Sequence, residues 1–337
     1  MSAITSLSSR AWAGPDDLRA MTGVVSKAWA SPRRPLVPCT VGDLEWWTAS
    51  GGPDADWPSR AGIWELGGTV VGWGWLNRPA SLDWFVVDGL TATEDAAVRD
   101  GILDWLADYG RASRAADPAA DPAAAGLTPE PSAAGAIAEP AAQRNAVELE
   151  AWAPDDWPEQ AALVSRGWTP TEVVITQFVQ ALDVELDPPR VPEGYVLRSL
   201  RGPQDVPARV EVHRAAFAPS KMTVEKYAIL RAQDHYAFDR DIVLESADGT
   251  FAAFTMCWLD PLGSIGEFEP VGTHPDHQRR GLGRVIMRHG LRLMRAAGLR
   301  DALVFSLRSN VASEALYRSA GFDEVALHRR YTKPLEP

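Results

Sequence analysis

Cysteine is scarce in this chain: Cys39 and Cys257 stand far apart among 337 residues. Two isolated cysteines cannot build a disulfide framework or a zinc site of ordinary ligand spacing, and they fit a reducing, cytoplasmic setting. Long apolar runs are missing too. No stretch approaches the roughly 18 apolar residues of a membrane span, and the opening "MSAITSLSSRAW" lacks the apolar stretch of a secretion signal. No membrane association is expected. Positive charge is in deficit, with a net charge of −12, so the broad basic footprint of a nucleic-acid binder is absent. What is present is apolar bulk: 46% hydrophobic residues and 14 tryptophans, enough for large cores and clefts in two ordinary domains.

Much of the chain is written twice. "SSRAWAGPDDLRAMTGVVSKAW" resembles "VLRSLRGPQDVPARVEVHRAAF", with Trp29 at the place of Phe217, an offset of 188. "GGTVVGWGWLNRP" resembles "DGTFAAFTMCWLDP", pairing Gly68 with Gly249 at an offset of 181. "QAALVSRGWTPTEV" resembles "EALYRSAGFDEV", pairing Gly167 with Gly321 at an offset of 154. The drop from 181 to 154 places about 27 extra residues in the first copy. Residues 112–145, rich in alanine, proline and small polar residues, supply them and are expected to form a flexible surface loop. The division expected is residues 1–185 and residues 186–337, with "PPRVPEG" between the copies.

In the second copy, helix is expected over 208–217, strands over 241–245, 250–258 and 266–273, and a strongly amphipathic helix over 281–297. A buried strand over 302–307 and a short helix over 311–319 follow, with Asn310 as N-cap and Gly321 as stop.

"PDHQRRGLGR", residues 275–284, lies between a strand and that long helix. The first N–H groups of a helix lack intrahelical partners, and the macrodipole adds positive charge, so an anion binds there readily. Gly281 and Gly283 let a phosphate approach the backbone, and Arg279, Arg280 and Arg284 add charge and forked donors. The physical reading is a phosphate or pyrophosphate site; a tight turn with surface arginines is the alternative. Neither the Lys-Ser/Thr ending of a P-loop nor the three-glycine dinucleotide fingerprint is present.

"QRRGLG" matches the Q/R-x-x-G-x-G/A pattern of the GCN5-related N-acetyltransferases, and "NVASEALYRSAGF" resembles the second signature of that family. The resemblance covers about residues 194–337, and the tandem layout is similar to members of the mycothiol synthase type. It implies an α/β (α+β) fold of two tandem GNAT-like domains, each a mixed, mostly antiparallel sheet flanked by helices. It implies acetyl-CoA as co-substrate, with coenzyme A as product. By resemblance, Gln278, Arg279, Arg280, Gly281, Leu282, Gly283 and Arg284 would hold the pyrophosphate. Val271, Gly272 and Thr273 would pair through the main chain with the pantetheine arm, Asn310 would lie beside that arm, and Tyr317 would lie near the thioester sulfur.

Acetyl transfer to an amine needs a base, an oxyanion donor and a proton for the departing thiolate. Glu267 and Glu269 share one strand face unless a bulge intervenes, and both are candidate bases. Tyr317 is the candidate acid, and a backbone N–H near Val271 the oxyanion donor. Cys257, in an apolar strand, reads as core, and His274 and His277 read as loop residues. Trp73, Trp75 and Trp258 are expected in the core or on the wall of an acceptor cleft. The first copy lacks the phosphate loop: "TATEDAAVRD" offers Glu94, Asp95 and Asp100, which cap a helix but repel pyrophosphate. Val164 is expected in the slot of Tyr317. The leading expectation is an acyl-CoA-dependent N-acyltransferase acting on a small-molecule amine, as monomer or homodimer. A non-catalytic CoA-binding regulatory protein and a mycothiol-synthase-like enzyme are the alternatives.

Overall fold

The computed structural model describes residues 6–31, 37–78, 80–116 and 148–335. The first half runs β1 (Leu7–Ala11), α1 (Pro15–Ala30), α2 (Val41–Gly51), α3 (Trp57–Arg60), β2 (Ala61–Leu66), β3 (Thr69–Arg78), β4 (Ser81–Val86), α4 (Ala92–Ala116), β5 (Glu148–Pro154), α5 (Pro158–Ser165) and β6 (Thr169–Ala181). The second half repeats that order with a 3₁₀ turn (Phe238–Arg240) in place of α3: β7 (Tyr195–Ser199), α6 (Val206–Ala216), α7 (Val224–Arg231), β8 (Asp241–Ser246), β9 (Phe251–Asp260), β10 (Ile265–Thr273), α8 (Leu282–Ala296), β11 (Asp301–Leu307), α9 (Val311–Ala320) and β12 (Asp323–Pro334). The helices expected over 208–217 and 281–297 are α6 and α8. The loop expected over 112–145 begins late, because α4 continues to Ala116; the remainder lies outside the described residues.

The duplication is exact in small details. Gly14 and Gly202 both adopt φ near 150°, a region that favours glycine, at the entrance to the first helix of each half. Asp17 and Asp205, 188 positions apart, each accept the backbone N–H four residues upstream, from Ala13 at 2.6 Å and Arg201 at 2.9 Å. Arg10 and Arg198 bind those aspartates and a second carboxylate each, Glu65 and Glu245.

All twelve strands form one sheet in the order β1-β2-β3-β4-β5-β12-β6-β11-β10-β9-β8-β7. The order is a palindrome of the two copies in which the final strands have changed places. β12 ends the second half yet pairs with β5, His328 opposite Pro154; β6 ends the first half yet pairs with β11, Asp301 opposite Ala181. The exchanged strands also pair with each other, so the halves are joined by continuous backbone hydrogen bonding.

A shared core seals the junction: Trp46, Trp47, Trp73 and Trp75 pack with Val210, Tyr227, Met256, Trp258 and Phe305. Trp73, Trp75 and Trp258 are fully buried, so core is their place. Cys257 is buried as well. No helix among the described residues is long and apolar enough to cross a membrane.

Candidate functional site

The site begins where two strands part. β10 pairs in parallel with β11 only from Ile265 to Glu267, opposite Asp301 to Leu303. Beyond that point β11 continues along β6 and β10 continues along β9. The edge that β11 leaves, from Val271 to Thr273, has the open character to which an extended ligand can add as a strand. The first half parts the same way: β4 meets β5 only at Ser81 and Leu82.

A bulge precedes this edge. The pairing of β10 with β9 slips between Phe268 and Val271, setting Glu269 and Pro270 against the single residue Met256. Simple alternation therefore ends at Glu269, and the shared face expected for the two glutamates is interrupted. Val271, Gly272 and Thr273 follow on the partly exposed rim. A Cβ on Gly272 would meet the Phe254 ring at 2.4 Å, so that glycine is required by packing.

One end of the edge leads to the phosphate-binding candidate. Arg279 and Gly281 both take positive φ, 60° and 77°, and Gly281 caps α8. A non-glycine residue held there is uncommon and costs of order 1 kcal/mol, which concentrates at binding sites. Left-handed residues in a tight turn are the kind of backbone that builds concave anion sites. A Cβ at Gly281 would meet open space, so the approach is clear.

Gly283 has a different reason: its Cβ would stand 2.9 Å from Leu316, and the glycine lets α8 and α9 pack closely. Leu282 is buried and holds the start of α8 in the core. Gln278 is more than a third exposed, as are Arg279 and Arg280. Arg280 is tethered by donating to the Tyr195 hydroxyl at 3.0 Å and the Asp276 carbonyl at 3.1 Å. The same hydroxyl lies 2.9 Å from His277 Nδ1. A groove of about 410 Å³ continues from this turn, lined by Arg190, Pro192, Arg280, Arg284 and Arg288 with Asp187. Sequence reasoning missed Arg190, from the segment that joins the copies, and Tyr195, at the start of β7.

The other end of the edge is buried and acidic. Glu267 and Glu269 are each about 1% exposed. Glu267 turns to the first half, where the Thr40 hydroxyl donates to its Oε2. Thr40 and Asp43 form a reciprocal cap on α2: Thr40 Oγ1 accepts from Gly42 and Asp43, and Asp43 accepts from Thr40 N at 2.8 Å. Gly42 lets the cap close in, since a Cβ there would lie 2.4 Å from Trp258 and 2.7 Å from Glu267 Oε2.

Burial, then the neighbouring Asp43 and Glu269, hold the Glu267 carboxyl well above the usual carboxylate range. Burial also pushes Asp43 up, to about 7, against the Thr40 backbone N–H that favours its charge. Tyr317 is buried against Phe178 and Phe322. Burial and the charge of Glu269 push its phenol up, so its O–H stays on. Glu269 is thus the carboxylate whose charge both Glu267 and Tyr317 feel. Asn310 caps α9, accepting from Ser313 N at 3.2 Å.

The corresponding turn of the first half is capped by an acidic side chain. Thr91 N donates to Glu94 at 2.9 Å, the Thr91 hydroxyl at 2.7 Å, and Glu94 N returns a bond to Thr91. Those bonds hold the Glu94 carboxyl below its ordinary range. The slot of Tyr317 is filled by Leu163, four residues before Gly167 as Tyr317 is four before Gly321, and Leu163 is fully buried. Val164, expected there, is 55% exposed, because the helical register turns it outward.

Comparison with known proteins agrees with this geometry. Residues 210–322 match the family model of the acetyltransferase (GNAT) family. The chain is 30% identical over 202 residues to a mycothiol acetyltransferase of Saccharomonospora viridis, covering 56% of this chain and 66% of that protein. It is 31% identical over 190 residues to a mycothiol acetyltransferase of Frankia casuarinae, covering 52% of this chain and 55% of that protein. The chain therefore spans between about half and two thirds of these curated relatives. A GCN5-related N-acetyltransferase from Sphaerobacter thermophilus shares the fold, with a TM-score of 0.62 and 16% identity over 98% of this chain and 96% of that one. A tandem GNAT protein from the clavulanic acid biosynthesis pathway does so with a TM-score of 0.60 and 16% identity, over 98% and 99%.

Proposed function

Because the second half of the chain carries a GNAT domain and the whole has the fold of tandem GNAT proteins, we propose that it is an acyl-CoA-dependent N-acyltransferase that moves acetyl from acetyl-CoA to a small-molecule amine by direct attack. One observation carries the reading. The strand edge where β10 leaves β11 runs from the buried Glu269, whose charge Tyr317 of α9 feels, towards the glycine- and arginine-rich turn at Arg279–Gly281. That layout suits a long ligand with phosphates at one end and a reactive carbonyl at the other.

On this reading residues 186–337 hold the acyl-CoA site, and residues 1–185 are the degenerate copy. N–H groups from Gln278 to Arg284 take the pyrophosphate, with Arg280 and Arg284 as counter-charge. Val271 and Thr273 pair with the pantetheine arm, and Asn310 flanks it. Acetyl-CoA supplies the acyl group and the departing thiolate. Glu269, backed by Glu267, takes the proton of the acceptor ammonium, so that the amine attacks neutral. The Val271 N–H faces the developing oxyanion. Tyr317, which keeps its O–H, gives a proton to the thiolate as the C–S bond breaks.

Release of free thiol from acetyl-CoA in the presence of a panel of primary amines tests the reading. Since relatives at about 30% identity are named mycothiol acetyltransferases, the amine precursor of mycothiol heads the panel. Amine-dependent thiol release is expected from at least one acceptor. Acetyl-CoA binding without release for any amine would move the regulatory alternative to the front.

A further inference from the structure

The first half has lost its phosphate turn, yet its α2 cap is pressed onto Glu267. Thr40 donates to Glu267, Gly42 admits the carboxylate at a distance no larger residue allows, and Asp43 lies at the same cap. Glu267 Oε1 is buried with no hydrogen-bond partner among the described residues, save what a shared proton on a neighbouring carboxyl would provide. Asp83 of β4 completes the group and is its partly exposed member. On β4 it lies opposite Trp75, as Glu267 on β10 lies opposite Trp258, and both tryptophans belong to the shared core.

Building on the reading of Glu269 and Glu267 as proton acceptors, we propose that the first half is a working part of the catalytic site: Asp43 and Glu267 share one proton across the junction, and Asp43 hands protons on towards Asp83 and water. The step balances without an added reagent. The acceptor's N–H bond breaks and an O–H bond forms on Glu269. Glu269 passes that proton to Glu267 as Glu267 gives its own to Asp43, and Asp43 releases one to water past Asp83. The pair returns to its single-proton state.

The charges that act on the pair are Asp83 from β4 and Glu269 from β10, while Cys39 from the loop before α2 is a buried thiol that burial and the neighbouring carboxyls keep protonated. Two carboxyls so placed titrate as a unit. Asp43 is a positioning and relay residue, with no contact to substrate required.

The test is carboxyl ¹³C NMR of the free protein, labelled at Asp and Glu, between pH 4 and 9. It is combined with the pH profile of kcat for the wild type, Asp43→Asn and Glu267→Gln. Asparagine retains an acceptor for the Thr40 N–H, and thermal melting verifies folding. The expected result is a coupled titration in the neutral range that disappears in either variant. In Asp43→Asn, kcat at pH 7 falls by about 10–100-fold, part of the range for lost proton transfer, its acid limb moves, and acetyl-CoA affinity stays. The pair also has a stability signature. A carboxyl raised from 3.8 to about 7 in the fold supports folding below its unfolded value and loses that support as pH rises through 7. The fall in melting temperature from pH 5 to pH 8 should shrink in Asp43→Asn.

A shared titration with an unchanged pH profile in Asp43→Asn would overturn the relay. No neutral titration would overturn the pair. The NMR titration needs no acceptor, and the pH profile uses whichever amine of the panel releases thiol. A Glu267→Gln variant with full turnover would instead count against the base reading, while the NMR titration would still report on the pair.

Discussion

Turnover by the Glu269→Gln variant is expected to fall by about 10²–10⁴-fold, the usual contribution of a positioned general base, while acetyl-CoA binds as before. Glutamine keeps the size and a hydrogen-bonding group but cannot take the ammonium proton. The site is buried at 1% exposure, so bulk water cannot substitute freely. Glu267→Gln should also lose turnover, by less, because Glu267 stands behind Glu269 and faces Thr40 rather than Tyr317. Steady-state kinetics set beside a binding isotherm check both. Loss of kcat with an unchanged Kd supports the assignment; equal activity in both variants would place the base elsewhere.

The largest stability effect is expected at Arg209→Met, which should cost about 3–5 kcal/mol, the usual cost of stripping one partner from a buried ion pair. Arg209 and Asp241 are both fully buried, joined at 2.8 Å through Nε. The Tyr227 hydroxyl donates to Asp241, and that of Tyr236 does so at 3.2 Å. The guanidinium stacks 3.8 Å above the Phe254 ring. Methionine fills much of the volume but leaves Asp241 without its cation, in a place water does not reach. Chemical denaturation measures the loss. A change below 1 kcal/mol would mean that the two tyrosines suffice for Asp241 and that the pair contributes little net stability.

Much of the fold was legible because duplication leaves paired marks: the offsets of 188, 181 and 154 reappear as α1 over α6, β3 over β9 and α5 over α9. The turn before α8 was legible as a strand-to-helix junction because two glycines precede a strongly amphipathic segment. The exchange of β6 and β12 was not, because both are final strands with similar patterning, and pairing partners leave no mark on a single strand's alternation.

The bulge had a signal that went unused: Pro270 sits inside a strand, and proline there marks an edge or a bulge. The Thr40–Asp43 cap also had one, since "TVGD" before an apolar segment has the form of a capping box. What no local pattern could supply was the partner of that cap, Glu267, 227 positions away. The slot of Tyr317 was misplaced by one residue, and in a helix one residue is the difference between buried Leu163 and exposed Val164.

The central claim is that one half binds acyl-CoA and the other has traded its anion site for a structural and proton-handling role. Titration calorimetry of the whole chain with acetyl-CoA tests it most directly. The account predicts one site per chain, abolished by Gly281→Glu, which places a carboxylate in the turn that should take the pyrophosphate. Two sites, or one site that survives Gly281→Glu, would contradict it.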